Sequence, residues 1–259
     1  MTESIHNGLL SAGAALIAYL SFEYGKNIPF RYITQAEYTT CEWMNGTFCS
    51  RMSDFVMILL IYYVYIQAFT FSSLPIKNAL QDPPRNAISG VCIGAGSAFI
   101  SVVLNLLFGF IELRGIDYMK LLYVPIILIG MMFTGITEEL LFRALPINAL
   151  LPYVSESVLV IGTALLFGFV HMRYSLYYGF SAFIAGLLLG YGFLAHGLFW
   201  AAGFHTAYNT VETTFYSTTK YKVVSPFMAG ERKTPDDDGL TTSLVETIIF
   251  CLLKYVGYL

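Results

Sequence analysis

Three short strings in the second half of this chain join residue types that seldom sit in apolar sequence. Gly135-Ile-Thr-Glu138-Glu139-Leu-Leu-Phe-Arg143 closes one apolar run, Phe167-Gly-Phe-Val-His171 closes a second, and His205-Thr-Ala-Tyr-Asn209 lies inside a third. Glu139 and Arg143 are four residues apart, as are Phe167 and His171, and His205 and Asn209, so on helices each pair shares a face. An ionisable group at bilayer depth costs about 2.5–3.5 kcal/mol on insertion scales, so such faces turn toward a bundle interior and usually serve something. Glu139 with Arg143 reads as a structural ion pair in which each charge neutralises the other. Glu138 lies about 100° around the helix from Glu139, and Thr134 and Phe142, not cations, stand four residues to either side of it. An unpaired carboxylate beside a satisfied one is the better candidate for proton chemistry. Read singly, His171 beside Arg173 is an interfacial residue, and His205 with Asn209 is a helix–helix hydrogen-bonding pair. His196 reads as a loop residue, and Glu212 as a charge lining the mouth of the site or lying behind it. Read together these bland assignments weaken, because the chain has only four His and two fall on the same kind of polar face as Glu138.

The elements that must position these residues are membrane spans. Of 259 residues 56% are hydrophobic and 12% charged, against roughly 25% charged in a soluble domain, and the mean hydropathy is +0.64. Such a chain cannot cover a water-soluble globule with charge. The net charge of −3 and the lack of a basic stripe exclude a nucleic-acid partner. Four Cys with no CxxC make neither a disulfide scaffold nor a zinc pair. No Lys or Arg opens the chain as in a cleaved secretory signal.

Uncharged stretches of about 17–25 residues mark spans. Residues 4–22 form a short one, 55–76 and 86–111 form strong ones, and 121–137 and 157–172 follow. Residues 174–211 hold no Asp, Glu, Lys or Arg. As one helix they would reach about 57 Å, nearly twice the hydrocarbon core, so they are two spans broken near Ala195-His196-Gly197. The tail 242–259 is apolar but carries Glu246 and Lys254; it spans or lies at the interface. With no alternating barrel pattern, the expected fold is all-α: one integral membrane domain over residues 1–259, a bundle of seven to eight transmembrane helices around a polar cavity. Polar loops are expected at 23–54 and 217–241, and no internal repeat is visible. Gly186, Gly190 and Gly192 have the spacing of close helix packing.

In order along the chain, EELLFR, FGFVH and HTAYN resemble the three motifs E-E-x-x-x-R, F-x-x-x-H and H-x-x-x-N of the CPBP family. These are the CAAX-protease and bacteriocin-processing intramembrane proteases, which include the Ras-converting CAAX endopeptidase. Each motif alone is weak; all three, in order on apolar helices, are specific. The resemblance covers roughly residues 119–216. It implies an intramembrane endopeptidase acting on a membrane-associated protein or peptide, prenylated or not. By position it makes Glu138 the general base with His171, makes His205 and Asn209 the oxyanion-side donors, and has Glu139 and Arg143 hold the first helix, with Phe167 packing or lining the cavity. The chemistry agrees, since a carboxylate in a partly dry cavity suits deprotonation of water. Donors preorganised where water is scarce suit a tetrahedral oxyanion. No cofactor is required, but Glu138, His171 and His205 could instead ligate zinc with a water in the fourth place. Two other classes compete. One is a non-proteolytic regulatory or binding relative, for which four costly polar groups would be idle. The other is a proton-coupled transporter, for which no inverted repeat speaks.

Loop charge sets the expected orientation. Over eight spans, one side collects Lys26, Arg31, Arg51, Arg114, Lys120, Arg173, Lys220, Lys222, Arg232 and Lys233, and the other only Lys77 and Arg85. The first side is then cytoplasmic. Loop 23–54 would lie there, with Cys41 and Cys49 as free thiols and the Asn45 sequon unused. The same count puts Glu138 and His171 near opposite faces, which catalysis forbids, so one boundary between 138 and 173 must differ, for instance through re-entry of 140–156.

Overall fold

A computed structural model describes residues 83–173, 175–230 and 239–259. The spans expected at 4–22 and 55–76, and loop 23–54 with Cys41, Asn45 and Cys49, lie outside the described residues. The six segments expected after residue 85 are all helical. Helix α1 runs Pro83–Leu107, α2 Val124–Glu139, α3 Leu145–Leu150, α4 Glu156–His171, α5 Leu176–His196 and α6 Leu198–Thr218. After a short helical turn α7, Pro226–Ala229, the chain ends in α8, Leu240–Tyr255. Three stretches, Pro84–Leu107, Tyr118–Ile147 and Leu176–His196, are long and apolar enough to cross a membrane, and large apolar side chains such as Phe99, Leu128, Val158 and Phe169 face outward. The protein is an all-α integral membrane bundle.

The boundary after residue 137 is corrected. The fourth segment does not stop at Glu138. A 3-10 turn over Tyr118–Tyr123 leads into α2, a π-helical turn over Leu140–Ala144 carries the chain into α3, and the helical path continues to Leu150. Pro146 supplies a physical reason for the π turn: it has no N–H to give, and its ring crowds the carbonyl four residues back. The turn widens, and the Leu145 N–H reaches back to the Leu140 carbonyl. Residues 151–155 then reverse the chain into α4. Glu138 and His171 therefore stand about 18 and 22 Å of helix from the same turn, at a common depth. The conflict posed by the charge count disappears without a re-entrant loop.

The break expected near Ala195-His196-Gly197 is a sharp joint: α5 ends at His196, Gly197 takes φ of 84°, and α6 begins at Leu198. His196 is indeed a joint residue. Its carbonyl accepts from the Asn86 amide, its Nε2–H donates to the Tyr258 carbonyl, and its ring lies against Trp200 and Tyr258. One element was not foreseen. Ile111–Ile116 (β1) and Thr219–Val223 (β2) form an antiparallel ribbon that ties the end of α1 to the end of α6. The segment expected as a polar loop from 217 thus begins as the end of α6 and a strand.

Small residues set the helix spacings, as interfaces in lipid require. A Cβ on Gly90 or Gly94 of α1 would collide with the carbonyls of Trp200 and Phe204 on α6, while Gly186 and Gly190 of α5 lie on Ala164 and Val160 of α4. Gly192 instead accommodates the Trp200 ring. Helix α8 joins α1 through a Ser101–Thr242 hydroxyl bond of 2.8 Å and α5 through Lys254, whose ammonium lies 4.0 Å above the Tyr191 ring.

Candidate active site

The three motifs meet. Glu138 from α2, Phe167 and His171 from α4, and His205 and Asn209 from α6 line one cavity of about 60 Å³, room for a few water molecules. Glu138 Oε2 lies 3.6 Å from His205 Nε2 and 4.0 Å from His171 Nε2. The carboxylate that lacks a cation on its own helix thus faces two imidazoles from other helices. Glu212, expected at the mouth or behind the site, is buried and does not line the cavity.

Beneath this surface lies the ion pair. Arg143 Nη1 donates to Glu139 Oε1 at 2.9 Å, and both side chains are fully buried. The guanidinium carbon is 4.4 Å from the centroid of the Phe167 ring, a cation–π contact. Phe167 also meets Phe142 edge-on at 5.1 Å, His171 at 4.3 Å and His205 edge-on at 5.9 Å. The aromatic residue opening the second motif therefore touches a polar residue from each of the three motifs.

Hydrogen-bond partners assign the tautomers. His171 Nδ1 lies 2.7 Å from the Phe167 carbonyl, which only accepts, so Nδ1 carries the proton and Nε2 points its lone pair at Glu138. His205 Nδ1 lies 2.8 Å from Glu139 Oε1, again an acceptor, so Nδ1–H donates there. This second bond was not legible in the sequence. Glu139 and His205 are far apart in the chain, and an ion pair at i, i+4 accounts for Glu139 without it. A neutral His205 then offers the cavity a lone pair, and its Nε2 donates only when the ring is an imidazolium. Glu138, Glu139 and Arg143 sum to one negative charge; a doubly protonated His205 brings the cluster to zero.

Among the further lining residues that went unmarked as site residues are Tyr178, Arg173 and Glu246. Tyr178 meets His171 edge-on at 5.1 Å, held by the α5 N-cap, where Ser175 Oγ accepts the Tyr178 N–H at 3.0 Å. Arg173 lines the cavity from the turn after α4. Glu246, 1% exposed, lines it from α8. A lone acid in an apolar tail is the kind of intramembrane charge that marks function, and that signal was present. Among the described residues no three His, Cys, Asp or Glu side chains form a group arranged to hold a metal ion.

Residues 120–211 match the family model described as type II CAAX prenyl endopeptidase, Rce1-like. No curated protein and no solved structure matches the chain. The matched stretch takes in α2 to most of α6 and leaves out α1 and α8. It contains all three motifs whose side chains share the cavity, and over this stretch the chain is similar to the type II CAAX prenyl endopeptidases.

Proposed function

We propose that the chain is an intramembrane endopeptidase that hydrolyses a peptide bond in a membrane-associated protein, with Glu138 as the base. The carrying observation is the position of Glu138 Oε2, between two imidazole Nε2 atoms on a cavity with room for water. In this reading Glu138, assisted by His171, takes a proton from water as its oxygen adds to the scissile carbonyl. The oxyanion accepts from the Asn209 amide and from His205 in its imidazolium form. When the C–N bond breaks, the proton held by Glu138 passes to the leaving amine. Separations of 3.6 and 4.0 Å are long for proton transfer, as catalytic contacts often are before substrate tightens them. The family match supports a substrate class of prenylated, membrane-associated proteins. Comparing cleavage of C-terminal and N-terminal peptides of such proteins identifies which end is cut.

A zinc-dependent version has one observation in its favour. Both imidazoles give their Nδ1–H to an acceptor and present Nε2, as metal-binding histidines do. One experiment separates the readings. Glu138→Gln, which keeps shape but cannot take a proton, is expected to lose at least ~10²-fold in turnover while folding normally. The wild-type protein is expected to keep its activity after exhaustive chelation. Near-normal turnover of the variant would sink the base assignment. Activity lost on chelation and restored by zinc would establish the metal version.

A further inference from the structure

A polar seam runs from the cavity to the ribbon end of the bundle. Ser97, Ser101 and Asn105 follow one another at four-residue spacing on α1, so they share a face, and none is more than 1% exposed. Helix α1 runs parallel to α6: Gly90 lies against Trp200 and Phe204, Gly94 against Phe204, and Gly203 against Ala87 and Val91. That register puts Asn105 level with Ser217 in the last turn of α6, and Ser97 level with Asn209. Helix α8 runs the other way. The Ser101–Thr242 hydroxyl bond holds its start against α1, and His196, whose carbonyl takes the Asn86 amide at the start of α1, holds the Tyr258 carbonyl beyond its end. Glu246, one turn past Thr242, is therefore level with Ser97, and both Glu246 and Asn209 line the cavity.

The outer part of this seam is buried and unsatisfied. Among the described residues the Asn105 amide oxygen and nitrogen and the hydroxyls of Ser217, Thr241 and Ser243 are shielded from solvent and have no hydrogen-bond partner. A buried polar atom left so is costly, and three adjoining helices supplying such atoms form a site for water, which takes two to four polar partners. The ribbon end of the seam is covered, because Ala229, 0% exposed, packs there with Val102, Ile111 and Tyr216. Phe227 in the same segment meets Tyr177 edge-on at 5.3 Å. Water held behind that cover has a polar way inward, past Ser101 and Thr242 to Glu246, about 12 Å along two turns of helix. Each peptide bond cut consumes one water, its hydroxyl going to the carbonyl carbon and its other hydrogen to the amine. A peptide seated on Glu138 fills a cavity of about 60 Å³ and blocks the mouth by which solvent enters. We infer that the seam between α1, α6 and α8 stores water and passes it to Glu138 from behind while substrate occupies the mouth. The inference rests on the peptidase reading above and deepens it.

The test uses the full chain in detergent and two readouts. A short X-ray pulse splits bound water in place, and the hydroxyl radicals oxidise side chains beside it even where bulk solvent does not reach. Val245 and Tyr216, both buried on the seam helices, are expected to be oxidised in the wild-type protein, while Val160, buried between α4 and α5, is not. Asn105→Leu keeps the volume and removes both polar atoms. It is expected to abolish that oxidation and to lower kcat on a prenylated peptide by ~10-fold at unchanged KM, the rate equivalent of one hydrogen bond lost to the moving water. Its melting temperature is expected to hold or rise, since an apolar group in place of an unsatisfied polar one is neutral or stabilising. Asn105→Ser, polar and smaller, is expected to restore both oxidation and turnover. A wild-type seam that is not oxidised would overturn the inference. So would an Asn105→Leu protein that loses the oxidation yet keeps its kcat, or whose kcat and melting temperature fall together, because the water would then be structural. If the seam is oxidised but the wild-type protein cleaves no peptide, the stored water stands, and the peptidase reading falls together with the supply role.

Discussion

Glu139 changes its meaning once the imidazoles are located. On the sequence it neutralises Arg143, and it does so at 2.9 Å; but the same Oε1 accepts the Nδ1–H of His205 at 2.8 Å. One oxygen anchors the buried cation and fixes the ring assigned to the oxyanion. Glu139→Gln leaves Arg143 uncompensated in the interior, a loss of about 3–5 kcal/mol, and is expected to lower the melting temperature and turnover together. Adding Arg143→Met to Glu139→Gln is expected to recover most of the stability but not the turnover, because an amide oxygen accepts the His205 Nδ1–H less strongly than the carboxylate does. A double variant with wild-type kcat would reduce Glu139 to a structural residue. The motif letters were legible because polar residues are conspicuous in apolar sequence. Their cross-helix partners were not, because spacing along a chain reports only contacts within one helix.

Glycine decides how near α1 comes to α6. At Gly94 an added Cβ would run into the backbone of Phe204, immediately before His205, whereas at Gly96 it would meet nothing within 4 Å. Gly94→Ala is therefore expected to push α6 outward, lowering thermal stability and cutting activity by ~10-fold or more, since small misplacement of catalytic groups is costly. Gly96→Ala, with the same gain in helix propensity, is expected to be silent or mildly stabilising. Paired melting curves and rates check this directly; equal behaviour of the two variants would show that close approach does not position His205. Among the elements, the helix break at Gly197 was readable from length alone, because no single helix of that length fits a bilayer. The π turn and the ribbon were not. The first depends on Pro146 acting inside a helix that tertiary packing keeps continuous. The second pairs strands more than a hundred residues apart.

Among the described residues, the loop cations are distributed by end. Arg114, Lys120, Lys220 and Lys222 belong to the ribbon and its flanks, and Arg173 to the turn beside it, while Arg85 stands at the opposite end near the Asn86–His196 contact. With Glu138 and His171 brought to one depth by the α3–α4 reversal, the charge count no longer separates them, and from the positive-inside rule we propose that the ribbon end is cytoplasmic. In a background without the four native cysteines, Lys220→Cys is expected to resist a membrane-impermeant maleimide in intact cells and to react after permeabilisation. Arg85→Cys is expected to react in both. The reverse pattern would invert the orientation.

The ribbon has a consequence for transplantation. The family match begins at residue 120 and stops at 211, which invites treating that stretch as a portable module. Yet His205 and Asn209 ride on a helix whose close neighbour, α1, lies upstream of the match and is sewn to it by β1 and β2, and α8 downstream supplies Glu246 to the cavity wall. A graft of 120–211 into another membrane scaffold would carry the alphabet of the enzyme without its seat.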